Sequence, residues 1–110
     1  MKIMVCGVGG VGNYLAYLLC ANNKTGNMIT LVARGKRKEA LEKNGLVIHS
    51  ELLGEQTVRP DAIIQTPAPA GEQDIIFICV KNYSLPSALS SLGPCLNAQT
   101  IVVPILNGID

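Results

Sequence analysis

Twelve residues of the chain are of types, and at spacings, that could bind or transform a small molecule. Six lie together: Gly7, Val8, Gly9, Gly10, Val11 and Gly12, reading GVGGVG. They satisfy G-x-G-x-x-G, directly after an apolar run and directly before a helix-like stretch. That context is the fingerprint of a dinucleotide pyrophosphate site. Gly7 permits a tight turn, Gly9 lets backbone approach the phosphates, and Gly12 lets a helix pack against a strand. The first amides of that helix then face the phosphates with the positive end of the helix dipole. A plain glycine-rich turn is the alternative.

A second group follows the next apolar run. LVARGKRKE, residues 31–39, places Arg34, Lys36, Arg37 and Lys38 within five positions. In an NAD-binding fold an acid at this place accepts bonds from the ribose hydroxyls. No Asp or Glu occurs between Met28 and Lys38. Arg34 can instead clamp a 2′-phosphate with its planar fork, with Lys36 and Arg37 adding charge. These residues predict NADP(H) rather than NAD(H). Lys38, furthest along, also suits a merely solvated helix face. The last two residues are Lys81 in ICVKNYS and Asn107 in PILNGID. Each stands just past the C-terminal end of an apolar strand, the edge where open α/β sheets bind ligands.

The elements that must position these groups alternate. Lys2–Gly7, Met28–Ala33, Leu46–Ser50, Asp74–Val80 and Thr100–Leu106 read as strands, several with no polar alternation, as in a parallel sheet. Asn13–Ala21, Lys36–Lys43 and Ser84–Leu92 read as helices. The first should point Val11, Leu15, Leu18 and Leu19 inward; the second has only Ala40 and Leu41 as apolar contacts. Residues 51–69 are irregular, and Gln56–Arg59 and Ala62–Gln65 could pair as a hairpin or add strands. The fold class predicted is α/β: a Rossmann-type, doubly wound, mainly parallel sheet with helices on both faces. With strand order 3-2-1-4-5, Arg34 and Asn107 are three strand spacings apart, about 14 Å. That is roughly the reach of an extended dinucleotide, with Lys81 and Asn107 at the nicotinamide end.

Composition narrows the function classes. The 110 residues are 48% apolar and 15% charged, with a net charge of +1. One domain, 1–110, is the expectation, and no broad basic excess points to nucleic acid. Glycines interrupt the apolar N-terminus, so neither a signal peptide nor a membrane span is expected. Cys6, Cys20, Cys79 and Cys95 form no C-x-x-C pair, and His49 is the only histidine, so a metal site is not expected. Cys6 and Cys79 read as buried free thiols, which suits a cytoplasmic protein. His49 has no visible partner and reads as structural or exposed.

The glycine loop near residue 7, VARG after the second strand, VKNY after the fourth and LNGID after the fifth together resemble the N-terminal domain of the ketopantoate reductase (2-dehydropantoate 2-reductase) family. The resemblance is collinear over essentially the whole chain. It implies an oxidoreductase that reduces ketopantoate to pantoate with NADPH in pantothenate and coenzyme A biosynthesis. It implies that Gly7 to Gly12 hold the pyrophosphate, that Arg34 holds the 2′-phosphate, and that Lys81 and Asn107 line the nicotinamide and substrate cleft in a supporting catalytic role. It further implies a second, helical domain carrying the lysine that acts as general acid. These 110 residues alone are then a fragment, expected to be inactive. The linker ANNKTGN, longer than usual for the family, is expected to form a larger surface loop. Three alternatives remain: another 2-keto acid as substrate, a non-catalytic NADP-sensing module, and an interaction domain. A sheet edge left open could also pair two copies into a homodimer.

Overall fold

The computed structural model describes residues 1–7, 10–23, 26–52, 54–79 and 85–105, with only the backbone of 10, 11 and 50. Among the described residues, seven strands and three α-helices follow in this order: β1 Lys2–Cys6, α1 Gly10–Ala21, β2 Met28–Val32, α2 Gly35–Asn44, β3 Leu46–Ser50, β4 Gly54–Val58, β5 Ala62–Ile64, β6 Ile75–Ile78, α3 Leu85–Ser91 and β7 Ile101–Pro104. Five strands form one sheet in the order β5-β2-β1-β6-β7. All four of its pairings are parallel. This is the Rossmann-like, doubly wound arrangement that the alternation of elements predicts.

Side chains of β1 alternate between two cores. Ile3 and Val5 face one side, with Ile29, Leu31, Ala33, Ala16, Leu41 and Leu46. Met4 and Cys6 face the other, with Val32, Ile76, Ile78, Leu92 and Cys95. A central strand buried on both faces needs no polar positions, which is why the run KIMVC is wholly apolar beyond its lysine.

The third strand of the sheet is not the one expected. Leu46–Ser50 pairs antiparallel with Gly54–Val58 in a separate two-stranded hairpin. The place beside β2 is taken by the three-residue β5, Thr30 opposite Ala62 through Val32 opposite Ile64. A run such as LVIHS carries no signal for which sheet it joins, and Ala62–Ile64 is too short to assert itself. The hairpin also gives His49 a partner: its Nδ1 lies 3.6 Å from Glu55 Oε2 on the exposed face.

Two helix faces also differ from expectation. On α1, Ala16 is fully buried and Leu19 and Cys20 pack on the core, while Leu18 is 37% exposed. The inward stripe therefore runs through Gly12, Ala16, Leu19 and Cys20, one position out of step with the expected one. Small residues face the sheet because the helix lies so close to it. On α2, Leu41 alone is buried and Ala40 faces solvent. The linker before β2 is tied by Asn23, whose Nδ2 donates to Asn27 O at 2.6 Å and whose Oδ1 accepts from Asn27 N at 2.9 Å.

Candidate functional site

The site forms where β1 and β2 end. Beyond the last residue of β1, Gly7 donates its N–H to Val32 O at 3.2 Å. Its φ of 84° lies in the left-handed region, where only glycine is unstrained. The chain then turns into α1, which begins at Gly10, three residues before the expected start. Gly12 sits on the buried face of that first turn. A Cβ there would collide with the Gly7 carbonyl and lie 3.0 Å from Cys79 Cβ. The role assigned to Gly12 from its spacing, close packing of helix on strand, is thus met in the structure. Val8 and Gly9 lie outside the described residues, as does the side chain of Val11.

After β2, Ala33 extends the ladder by donating to Ile64 O at 2.9 Å. Arg34 follows in extended conformation, φ −126° and ψ 156°, at the N-cap of α2. Its side chain is not used to cap the helix. Arg34 and Arg37, nearly one helical turn apart, reach the same cleft. The cleft has a volume of about 480 Å³. Cys6, Gly7, Val32 and Ala33 form its floor at the sheet's C-terminal edge; Pro67 closes one side, and Ser87, Ala88 and Ser91 of α3 form the far wall. A largely apolar slot lined by two arginines suits a flat ring carrying an anionic group.

The other cations separate. Lys36 is exposed and does not line the cleft. Lys38 turns along its own helix to Glu42, Nζ to Oε1 3.0 Å. The charge run thus divides into two arginines at the cleft and two lysines away from it. Lys81 and Asn107 lie outside the described residues. The strands that lead to them, β6 and β7, stand second and third from β2 across the sheet, so the predicted strand spacing holds.

Sequence reasoning missed the cleft's far wall. Ser87, Ala88 and Ser91 carry no motif; their spacing places them on one face of a short helix. Pro67 lies in the irregular stretch 51–69 and carries no motif either. Burial pushes the Cys6 thiol up to about 12, reinforced by Cys95 and Cys79. Burial likewise raises Cys79, which is half-buried rather than fully buried, and Cys95. All four cysteines are free. Among the described residues no group of three or more His, Cys, Asp or Glu could hold a metal, and no helix is long and apolar enough to cross a membrane.

Residues 3–110 match the family described as "Ketopantoate reductase PanE/ApbA". The chain belongs to the ketopantoate reductase family. Among curated relatives, the uncharacterized oxidoreductase YkpB of Bacillus subtilis is 38% identical over 108 residues, covering 98% of this chain and 34% of the relative. A 2-dehydropantoate 2-reductase of Mesorhizobium japonicum is 35% identical, covering 99% of this chain and 32% of its own length. The chain thus spans about a third of the curated relatives it matches. The crystal structure of 2-dehydropantoate 2-reductase from Porphyromonas gingivalis superposes with a TM-score of 0.87 at 31% identity, over 98% of this chain and 39% of that one.

Proposed function

We propose that these residues form the NADPH-binding domain of a 2-dehydropantoate 2-reductase, an enzyme that reduces ketopantoate to pantoate. The observation that carries the reading is the convergence of Arg34 and Arg37 on one cleft whose floor is Gly7, Val32 and Ala33. The residues fit the cofactor. Gly7 makes the tight turn and Gly12 lets α1 pack close on the sheet, and the two arginines meet a 2′-phosphate where an acid would repel it. Bound NADPH supplies the hydride that passes to the keto carbon.

In this reading Arg34 and Arg37 hold the adenosine end, and the start of α1 holds the pyrophosphate. Lys81 and Asn107 hold the carbonyl and the nicotinamide by charge and hydrogen bonding. Protonation of the forming alkoxide falls to a group outside these 110 residues. The family match supports the reaction class, and the relatives named 2-dehydropantoate 2-reductase support the substrate. The substrate is a small 2-keto acid and the setting is the cytoplasm.

Titration with NADPH and NADH, followed by nicotinamide fluorescence, tests the cofactor. NADPH should bind at least about tenfold more tightly, the worth of one charge-assisted contact. Equal affinity would overturn the phosphate clamp. In the full-length protein, ketopantoate-dependent oxidation of NADPH tests the substrate, and faster turnover of another 2-keto acid would reassign it.

A further inference from the structure

The helix that delivers the arginines is poorly anchored by apolar contacts. Leu41 is the only buried residue of α2. Its C-terminus, however, is held by a side chain from beyond the hairpin. Arg59 Nη1 donates to Glu42 O and Nη2 to Lys43 O, each at 3.2 Å. These are carbonyls of the helix's last turn, where intrahelical partners run out and the dipole favours a cation. A guanidinium can span two of them at once, which an ammonium cannot.

The backbone makes room for this clasp. Gly45, just past α2, has φ 76°, and a Cβ there would lie 2.9 Å from Val58 O and 3.2 Å from Arg59 Cγ. The arginine stem therefore lies against bare backbone at the helix end. The hairpin β3–β4 brings the chain back to this point: Leu46 opposite Val58 is its last pair, and Arg59 follows at once.

We propose that Arg59 is a positioning residue for the cleft: by clasping the C-terminus of α2 it fixes the direction of the helix, and with it where Arg34 and Arg37 point. The hairpin is then a latch for the phosphate-binding helix. This rests on the assignment of Arg34 and Arg37 to the 2′-phosphate.

The test is a mutant cycle read by NADPH and NADH dissociation constants, with melting temperature alongside. Arg59→Gln should weaken NADPH about threefold or more, within the range of couplings carried through packed elements, and leave NADH unchanged. Arg59→Lys keeps the charge but loses the fork and should restore only part of the loss. In an Arg34→Ala, Arg37→Ala background, Arg59→Gln should have no further effect on NADPH. A purely structural arginine would lower the melting temperature and leave the NADPH to NADH ratio at the parent value, which would overturn the proposal while leaving the phosphate clamp intact. A parent protein with no preference for NADPH would overturn both.

Discussion

Gly12 packs against Gly7 so closely that residue 12 has no room for a β-carbon. The collision would be with the Gly7 carbonyl, and Cys79 Cβ stands 3.0 Å away on the other side. Neither neighbour can yield easily. Gly7 is bonded to Val32 through its N–H, and Cys79 donates to Cys6 O at 2.8 Å. Backbone on two adjoining strands thus fixes the position of the helix start.

Gly12→Ala should therefore push α1 off the sheet. The expected cost is about 1–3 kcal/mol, typical of overpacking, and a fall of several degrees in melting temperature. Because the same shift moves the first amides of α1, affinity for NADPH and for NADH should fall together. Gly93→Ala is the matched control: nothing lies within 4 Å of the Cβ it would add. Its effect should stay within about 0.5 kcal/mol. A Gly12→Ala protein with parent stability and affinity would refute the close-packing account.

The four cations of the charge run should separate in the same assay. Arg34→Ala removes a group at the cleft and should weaken NADPH by about 1.5–3 kcal/mol, the worth of a hydrogen bond to a charged group. NADH binding should barely change. Lys38 is already engaged with Glu42 at the surface. Its loss should cost no more than about 0.5 kcal/mol of stability and leave the NADPH to NADH ratio within about twofold. If Lys38→Ala matched Arg34→Ala, the site would be a diffuse field rather than two arginines.

Much of this site is legible in the residues because its parts are local. A glycine loop after a buried strand has one common meaning, and an arginine after the next strand gains its meaning from that loop. The strand order around β1 follows from alternation of helix and strand. What is not legible is long-range. LVIHS has the composition of a sheet strand, yet the chain turns back after Ser50 and Gly54–Val58 gives it a hairpin partner instead. Ala62–Ile64 earns its place beside β2 through three backbone pairings that no side-chain pattern announces. The stripe on α1 is misread because periodicity favours large apolar residues, whereas close packing on a sheet selects Gly12 and Ala16. Ser87, Ala88 and Arg59 acquire roles only once distant segments meet.

The thiol at the cleft floor gives a prediction in pH. Cys6 is buried at the end of β1, and burial, reinforced by Cys95 and Cys79, pushes its thiol from the ordinary 9.0 up to about 12. The folded state thus keeps a proton that the unfolded chain releases near 9.0. Stability from the neutral thiol is whole below that pH and is lost progressively as pH rises toward about 12. The loss cannot exceed about 1.4 kcal/mol per pH unit for one proton. Cys20, raised to about 11 by burial and then by Asp61, adds a similar slope over a narrower window. The difference between parent and Cys6→Ala isolates the contribution of this thiol. Urea midpoints at intervals between pH 8 and 11 should show the parent's advantage shrinking above about pH 9. The same protonation should keep Cys6 inert toward a thiol reagent at pH 8, because the thiolate is the nucleophile. A constant gap between the two proteins, with rapid labelling of Cys6 in the folded state, would mean that the cleft floor is wet and that Cys6 ionises there as it does in water.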